Sequence, residues 1–533
     1  MTYLKSIFST KCTPQSEQIP GAKQVRNSAS GYSFAVDDAT RLERFLILGS
    51  EGGSYYATER ALTVANAEAV KRCVVADGLA TVARIVEVSE AGRAPKNDPA
   101  ILALAIAATF GNDETRRAAL GAVPRVCRTG THLFHFAEFV NGMRGWGRGL
   151  RAAVANWYES KTPEDLAYQA LKYQQRDGWG HRDLLRLAHP KPWTEQHRAL
   201  YHWITQGWAE VGTEPNPDAA LRRVWAFEQA KRATSAAEVR QLILDFGLPR
   251  EAVPTQYLGS AAVWDALLAA PMPMTAMIRN LATMTRIGLL EPGSDATATV
   301  VAQLKDAKRL KAARVHPIAA LSALKTYAQG RGERGNGVWT PVPAIVDALD
   351  AAFYMAFDSV EPTGKRWLLA LDVSGSMGSG VVAGVPGLTP RVASAAMAMV
   401  TAATEETYQM VAFQETLLPL AITPRQRLDD VLSTISGLPF GATDCAQPMI
   451  WAQKNRVKAD VFVIYTDSET WFGNIHPVQA LREYRDRMGI PAKLIVVGMV
   501  GNRFTIADPD DAGMLDVVGF DTAAPNLIAD FVR

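Results

Sequence analysis

The sequence predicts a long array of stacked α-helices followed by a doubly wound α/β domain, and three observations carry that prediction. Helix-compatible segments succeed one another through residues 28–362, separated by short Gly, Pro and Asp punctuation and with little strand-like alternation. After residue 363, four short apolar runs rich in β-formers alternate with helical segments. The first and third of those runs end in carboxylates, Asp372 and Asp467, where sheets of this kind bind ligands. At 533 residues the chain exceeds what one hydrophobic core supports, and 48% hydrophobic residues suffice for two folded units.

Taken in order, residues 1–27 read as an amino-terminal tail of loose order without a long apolar stretch. The helical part, residues 28–362, opens with segments such as Ala61 to Asp77, Asp98 to Phe110, Thr115 to Val123, Thr131 to Asn141, Gly147 to Tyr158 and Pro163 to Gln175. No strict repeat period emerges, so a degenerate solenoid follows from helix succession alone, and the pattern does not separate a ring from an open arc. In residues 363–533 the predicted strands are Trp367 to Leu371, Tyr408 to Phe413, Val461 to Tyr465 and Leu494 to Val497. The helices between them are Ala393 to Glu406, Arg425 to Ile435, Gln447 to Lys454 and Val478 to Met488.

The strand ending in Asp372-Val373-Ser374-Gly375-Ser376 supplies half of a divalent-metal site. Thr443, from a small-residue loop, and Asp467 complete a set of five oxygen-bearing side chains on three loops. Hydroxyls and carboxylates suit a hard cation, with Mg²⁺ the first choice. Ser374, Ser376 and Thr443 are expected to coordinate directly, and Asp372 and Asp467 through water, because Mg²⁺ dehydrates reluctantly. The alternative is that the two serines shape a tight turn and cap the next helix. The whole pattern looks like a von Willebrand factor A domain with a metal-ion-dependent adhesion site.

The net charge of +2 hides an asymmetry: residues 363–533 carry 14 basic against 18 acidic residues, a net of −4, which leaves +6 on residues 1–362. That excess permits nucleic-acid binding without establishing it. Lys172-Tyr173-Gln174-Gln175-Arg176-Asp177-Gly178-Trp179-Gly180-His181-Arg182, continued by Arg186, His189 and Lys191, mixes cations, aromatics and imidazoles suited to phosphates and exposed bases. A second run, Lys305, Lys308, Arg309, Lys311, Arg314 and His316, reads equally well as a solvated basic helix. Cys12, Cys73, Cys127 and Cys445 are widely spaced, with neither a zinc motif nor a disulfide framework, which fits the cytoplasm. No run of about 18–20 apolar residues spans a bilayer, and no nuclease-like cluster of carboxylates accompanies the metal loop, so no catalysis is expected.

Several strings resemble the Ro autoantigen family of RNA-binding proteins, and its bacterial members in particular. They include Arg44-Phe45-Leu46, Gly49-Ser50-Glu51-Gly52-Gly53-Ser54-Tyr55-Tyr56, Thr131-His132-Leu133-Phe134, Arg176-Asp177-Gly178-Trp179, Ile278-Arg279-Asn280-Leu281, Arg314-Val315-His316-Pro317 and Phe504-Thr505-Ile506-Ala507-Asp508. The resemblance implies a TROVE module, a ring of HEAT-like helical repeats, closed by the von Willebrand A domain. It implies binding of Y RNA on an outer basic surface, matched here by Lys172, Arg176 and His189. It also implies entry of single-stranded 3′ ends of misfolded RNA into a central hole, where Arg279, Asn280, Arg314 and His316 match family strings. For these four, helix capping and turn support are equally good readings. Bacterial relatives add a partner, the exoribonuclease polynucleotide phosphorylase, tethered through Y RNA. The competing expectation is a protein-interaction scaffold built on the metal site, with the basic helices as ordinary solvated faces.

Overall fold

The structure is a computed structural model that describes residues 12–208, 218–270, 272–332, 336–357 and 360–533. Two compact units emerge, one of Val70–Ala356 and one that joins residues 12–69 to Phe357–Arg533.

Among its described residues the first unit is mainly helical, with one short hairpin and a lone bridge between Arg331 and Val338. Its helices begin where a short polar side chain accepts from the first turn: Asp77 from Ala80 N, Asn112 from Thr115 N, Thr129 from His132 N and Thr162 from Asp165 N. Helices pack in pairs, among them the successive Ala236–Phe246 on Ala261–Ala269 and Pro317–Ala328 on Pro343–Met355, and Asp98–Phe110 on Gly130–Arg144. The helix Asp98–Phe110 is apolar on nearly all sides, with Ile101, Leu104 and Ala103 to Ala108 buried, because neighbours cover it on more than one face. The array also returns to its start. Gly92, in the left-handed conformation after the helix Gly78–Ala91, is overlaid by the Arg314 side chain, and the Arg93 carbonyl accepts from His316 Nε2 at 3.0 Å. Contacts across more than two hundred residues thus close the helical array, which the sequence pattern left undecided.

The strands of the chain are, in order, β1 (Gln24–Arg26), β2 (Tyr32–Ala35), β3 (Gln175–Arg176), β4 (Trp179–Gly180), β5 (Arg366–Asp372), β6 (Thr407–Phe413), β7 (Leu417–Leu420), β8 (Val461–Thr466), β9 (Lys493–Gly498), β10 (Phe504–Thr505) and β11 (Met514–Val518). Six of them form one sheet in the order β11-β9-β8-β5-β6-β7, parallel except for the edge strand β7. The chain leaves β5 for β6 on one side and later returns to β8 on the other. The crevice at the carboxyl ends of β5 and β8 is therefore the switch point of the sheet. Both strands are buried along nearly their whole length, which accounts for their unbroken apolar runs.

The amino-terminal segment departs from expectation. Instead of a loose tail, residues 12–27 are built into the carboxy-terminal unit, while residues 1–11 lie outside the described residues. Strand β2 pairs antiparallel with both β1 and β10, giving a second sheet of three strands. Gln15 is fully buried and donates to Asp444 at 2.5 Å and to the Ile475 carbonyl at 2.9 Å. Asn27 Nδ2 donates to Ser33 Oγ and to the Thr470 carbonyl. From the helix Asp38–Leu48, the buried Arg44 reaches both oxygens of Asp516 at 2.8 Å and the carbonyls of Phe504 and Asn502. These contacts stitch polar groups that a three- or four-residue strand gives no sequence signal for.

Candidate metal centre and nucleic-acid interface

Asp372 stands at the end of β5 and Asp467 one residue past β8, each fully enclosed. Asp372 Oδ1 accepts from the Ser374 N–H at 2.9 Å, and Oδ2 accepts from the Thr466 hydroxyl at 2.6 Å. With both oxygens already held by protein donors, the carboxylate is oriented and suited to act on a cation through water. Asp467 Oδ1 accepts from the Glu469 N–H at 3.0 Å and also takes the Ser376 hydroxyl. Three loops meet here. Gly375 N–H donates to the Gly441 carbonyl, and the N–H groups of Trp471 and Phe472 donate to the Thr443 carbonyl.

The donor set fits a hard cation on two counts. The Ser374 and Ser376 hydroxyl oxygens lie 3.3 Å apart. Neighbouring ligands of an octahedral ion sit about 2.9 Å apart for Mg²⁺ and about 3.4 Å for Ca²⁺, given their usual bond lengths. Burial pushes the carboxyls of both Asp372 and Asp467 upward, and the Asp467 charge pushes Asp372 further. Two such carboxylates are relieved by a shared cation. Of the alternative, the turn is present as a short 3-10 segment at Ser376–Gly378, while the next long helix, Pro390–Thr404, is capped by Thr389 and by neither serine.

Sequence reasoning missed the rest of this centre. Thr466 fixes Asp372, and Ser468 holds a left-handed turn with φ 62° and a buried hydroxyl that bonds nothing among the described residues. Glu469, pushed up to about 7 by burial and by Asp467, accepts from the Ser28 N–H at 2.7 Å. Tyr56 bonds Ser376, and burial with the nearby Asp467 and Glu469 charges drives its phenol far up. Its loop is pressed in place: a Cβ on Gly52 would meet Val381 at 2.2 Å. The Gly-rich string around Tyr56 was visible in the sequence; its nearness to the metal loop was not.

The basic segment lies in the helical unit. Lys172 ends the helix Pro163–Lys172, where its Nζ donates to Tyr168 Oη at 3.1 Å and sits over the Tyr168 and Tyr173 rings. Arg176 projects from the β3–β4 hairpin with 62% of its side chain exposed. The hairpin turns on Asp177 and Gly178, φ 52° and 80°, the two left-handed residues a tight hairpin needs. Trp179 anchors it, stacking on Trp146 at 5.5 Å and donating to Glu138. His189 is exposed at a left-handed position after the helix His181–Ala188. Arg176 and His189 are thus exposed and Lys172 half-buried within one segment of eighteen residues.

The other four predicted RNA residues separate. Arg279 is exposed on the helix Met274–Arg286, whose Ala276 lines one cavity together with Lys172. Asn280 spends its amide on the Ala276 carbonyl one turn earlier, at 2.7 Å. Arg314 is exposed at φ 50°, its stem on Gly92 and its charge felt at Glu90 and Arg128. Of the two readings left open for His316, the structure shows the helix cap. The residue is 4% exposed, its Nδ1 accepts from the Ile318 N–H, and its Nε2 faces the Arg93 carbonyl, so both ring nitrogens serve a helix cap and the closure of the array.

A largely parallel sheet with three loops meeting at its switch point, in a chain that also carries a closed array of helices, is the architecture of a TROVE protein with a von Willebrand A domain. The family models agree in register: the one described as TROVE domain matches residues 25–326, and the one described as Ro60 vWA domain matches residues 366–532. The chain is 45% identical over 522 residues to "RNA-binding protein RO60" of Deinococcus radiodurans, covering 98% of this chain and 97% of that one. It is 37% identical to the Caenorhabditis elegans protein of the same name, covering 96% and 90%. The crystal structure of the Deinococcus radiodurans Ro (RSR) protein superposes with a TM-score of 0.69 at 44% identity, over 93% of this chain and 99% of that one. The chain belongs to the Ro60 family. None of its described helices is long and apolar enough to cross a membrane.

Proposed function

We propose that this protein is a noncatalytic RNA-binding protein of noncoding-RNA quality control, acting in the cytoplasm. The observation that carries the reading is the segment from Lys172 to His189, which exposes Arg176 and His189 and holds a half-buried Lys172, with the exposed Arg279 on the helix that shares a cavity lining with Lys172. The two relatives named as RNA-binding proteins support it. Lys172 and Arg176 neutralise phosphates of a Y RNA, and His189 hydrogen-bonds a base or phosphate. Single-stranded 3′ ends of misfolded RNA are the second ligand, met by Arg279 and Arg314, and polynucleotide phosphorylase is the nuclease reached through Y RNA. The residues Asp372, Ser374, Ser376, Thr443 and Asp467 would hold Mg²⁺, whose part is to neutralise two buried carboxylates and pin three loops.

Crosslinking and sequencing of RNA recovered with wild type and with Lys172→Ala/Arg176→Ala/His189→Ala, at one stated salt, tests the reading. A small structured RNA present with wild type and lost in the triple variant supports it; equal recovery removes the surface assignment. A metal-dependent protein scaffold is favoured by one observation only: exposed Phe440, Trp471 and Phe472 sit on the loops around the metal centre. Absence of specific RNA from both proteins, with a protein partner released by chelation, would favour that reading.

A further inference from the structure

Beside Lys172 lies a cavity of about 140 Å³ that the proposed RNA contacts do not use. Leu248, Leu267 and Met272 give it an apolar floor, and its rim carries Tyr168, Lys172, Arg223, Arg250 and Glu251. The size is informative. An engineered apolar cavity of about 150 Å³ takes up benzene, so this one suits a single six-membered ring and is too small for a fused pair.

The rim is polar in a particular way. Three cations would suit a phosphate, but Glu251 stands among them, and its charge is felt at both the Tyr168 and Tyr173 phenols. A carboxylate at the mouth opposes a bare anion and accepts from an N–H. Arg250, which also lines the cavity, supplies guanidinium N–H groups as the complementary donor. Arg223 is held in place by the Phe246 and Glu164 carbonyls and lies 5.9 Å from the Tyr168 ring. A ring with an N–H between carbonyls, such as the Watson–Crick edge of uracil, meets one acceptor and one donor at once. Lys172, whose ammonium already neighbours the cavity, and Arg279 nearby would face the attached phosphate.

We propose that this cavity is a pocket for one unstacked pyrimidine base of single-stranded RNA, which rests on the RNA-binding reading above and adds base selectivity to it. The pocket turns a surface that neutralises phosphates without regard to sequence into one that prefers a pyrimidine at one position.

The test compares oligouridine and oligoadenosine of equal length on the full-length protein, with 4-thiouridine in the first to map the contact by crosslinking and mass spectrometry. Two variants probe the pocket: Ala276→Phe fills it, and Arg250→Gln, at its rim, removes the donor should the filled variant fail to fold. The expected result is a loss of about tenfold in oligouridine affinity with oligoadenosine unchanged, and a wild-type crosslink on the peptides bearing Tyr168 or Met272. Equal loss for both oligomers, no loss for either, or a crosslink elsewhere overturns the pocket and leaves the RNA reading standing. Competition of the crosslink by inorganic phosphate but not by uridine overturns the base in favour of an anion site. Failure of wild type to bind either oligomer overturns the RNA reading itself and the pocket with it.

Discussion

Replacing Arg44 by Met should unseat the carboxy-terminal unit. The guanidinium is fully buried and makes a two-pronged contact with Asp516, 2.8 Å to each oxygen, while Nη1 serves the Phe504 carbonyl at 2.8 Å and the Asn502 carbonyl at 3.1 Å. The Asp516 side chain is only 13% exposed, so water reaches it poorly once its partner is gone. Removing one member of a buried pair costs about 3–5 kcal/mol, because the remaining charge is left without a counterpart. For a unit of this size each kcal/mol moves the midpoint by about 2–4 °C, giving a fall of roughly 6–20 °C. Calorimetry reads it directly, with hydrogen exchange at β9 and β11 locating the loss. Arg44→Met/Asp516→Leu should recover most of the stability, since neither charge remains. A shift below about 1 kcal/mol in the single variant, the level of an exposed pair, would refute the claim that Arg44 fastens the amino-terminal segment to this domain.

The helical unit should weaken in acid through His181. Burial lowers its pKa from 6.5 to about 4, so between those values the unfolded chain binds the extra proton and stability falls with pH. The loss begins below about pH 6.5, completes near pH 4 and reaches about 3 kcal/mol. His132, likewise lowered to about 4 by burial, acts over the same window, so His181→Phe should remove roughly half of that slope in urea unfolding, and an unchanged slope would refute it. Mg²⁺ at about a hundred times its Kd should stabilise wild type by about 2.7 kcal/mol, a gain that Ser374→Ala should largely lose in a thermal-shift titration with and without chelator. Lys172→Ala/Arg176→Ala should reduce the slope of log affinity against log salt by about 1.4–1.8, the two phosphate contacts it removes, as read by fluorescence anisotropy. His316→Ala should cost at least about 1 kcal/mol of stability through the lost cap while leaving RNA affinity where it was; a selective RNA defect would restore it as an RNA contact.

The parts of the fold that local chemistry dictates were legible in the sequence. Strands β5 and β8 announce themselves because a parallel strand covered on both faces must be apolar throughout, and their ends fall where Asp372 and Asp467 stand. What escaped was long-range. Gln15, Asn27 and Arg44 are polar residues whose burial depends on partners 429 to 472 positions away, and nothing near them in the chain marks it. For His316 the His-Pro step already offers a helix cap beside an RNA contact, and its burial against the Arg93 carbonyl, 223 positions away, accompanies the cap. Arg279 lies more than a hundred residues from Lys172 in sequence, and only the helical packing makes them neighbours.

The split of one domain between the two ends of the chain sets a schedule for its synthesis. On the ribosome, Gln15 emerges 429 residues before Asp444 and 460 before Ile475. At about 5–20 residues per second that is a wait of roughly 20–90 s. During that interval β1 and β2 form at most an isolated hairpin, and such a pair is marginal in water. The helical unit, whose partners are nearer in sequence, is complete well before the sheet receives its last strand. Emergence of Asp444, Ile475 and finally Asp516 is thus what lets Gln15 and Arg44 settle.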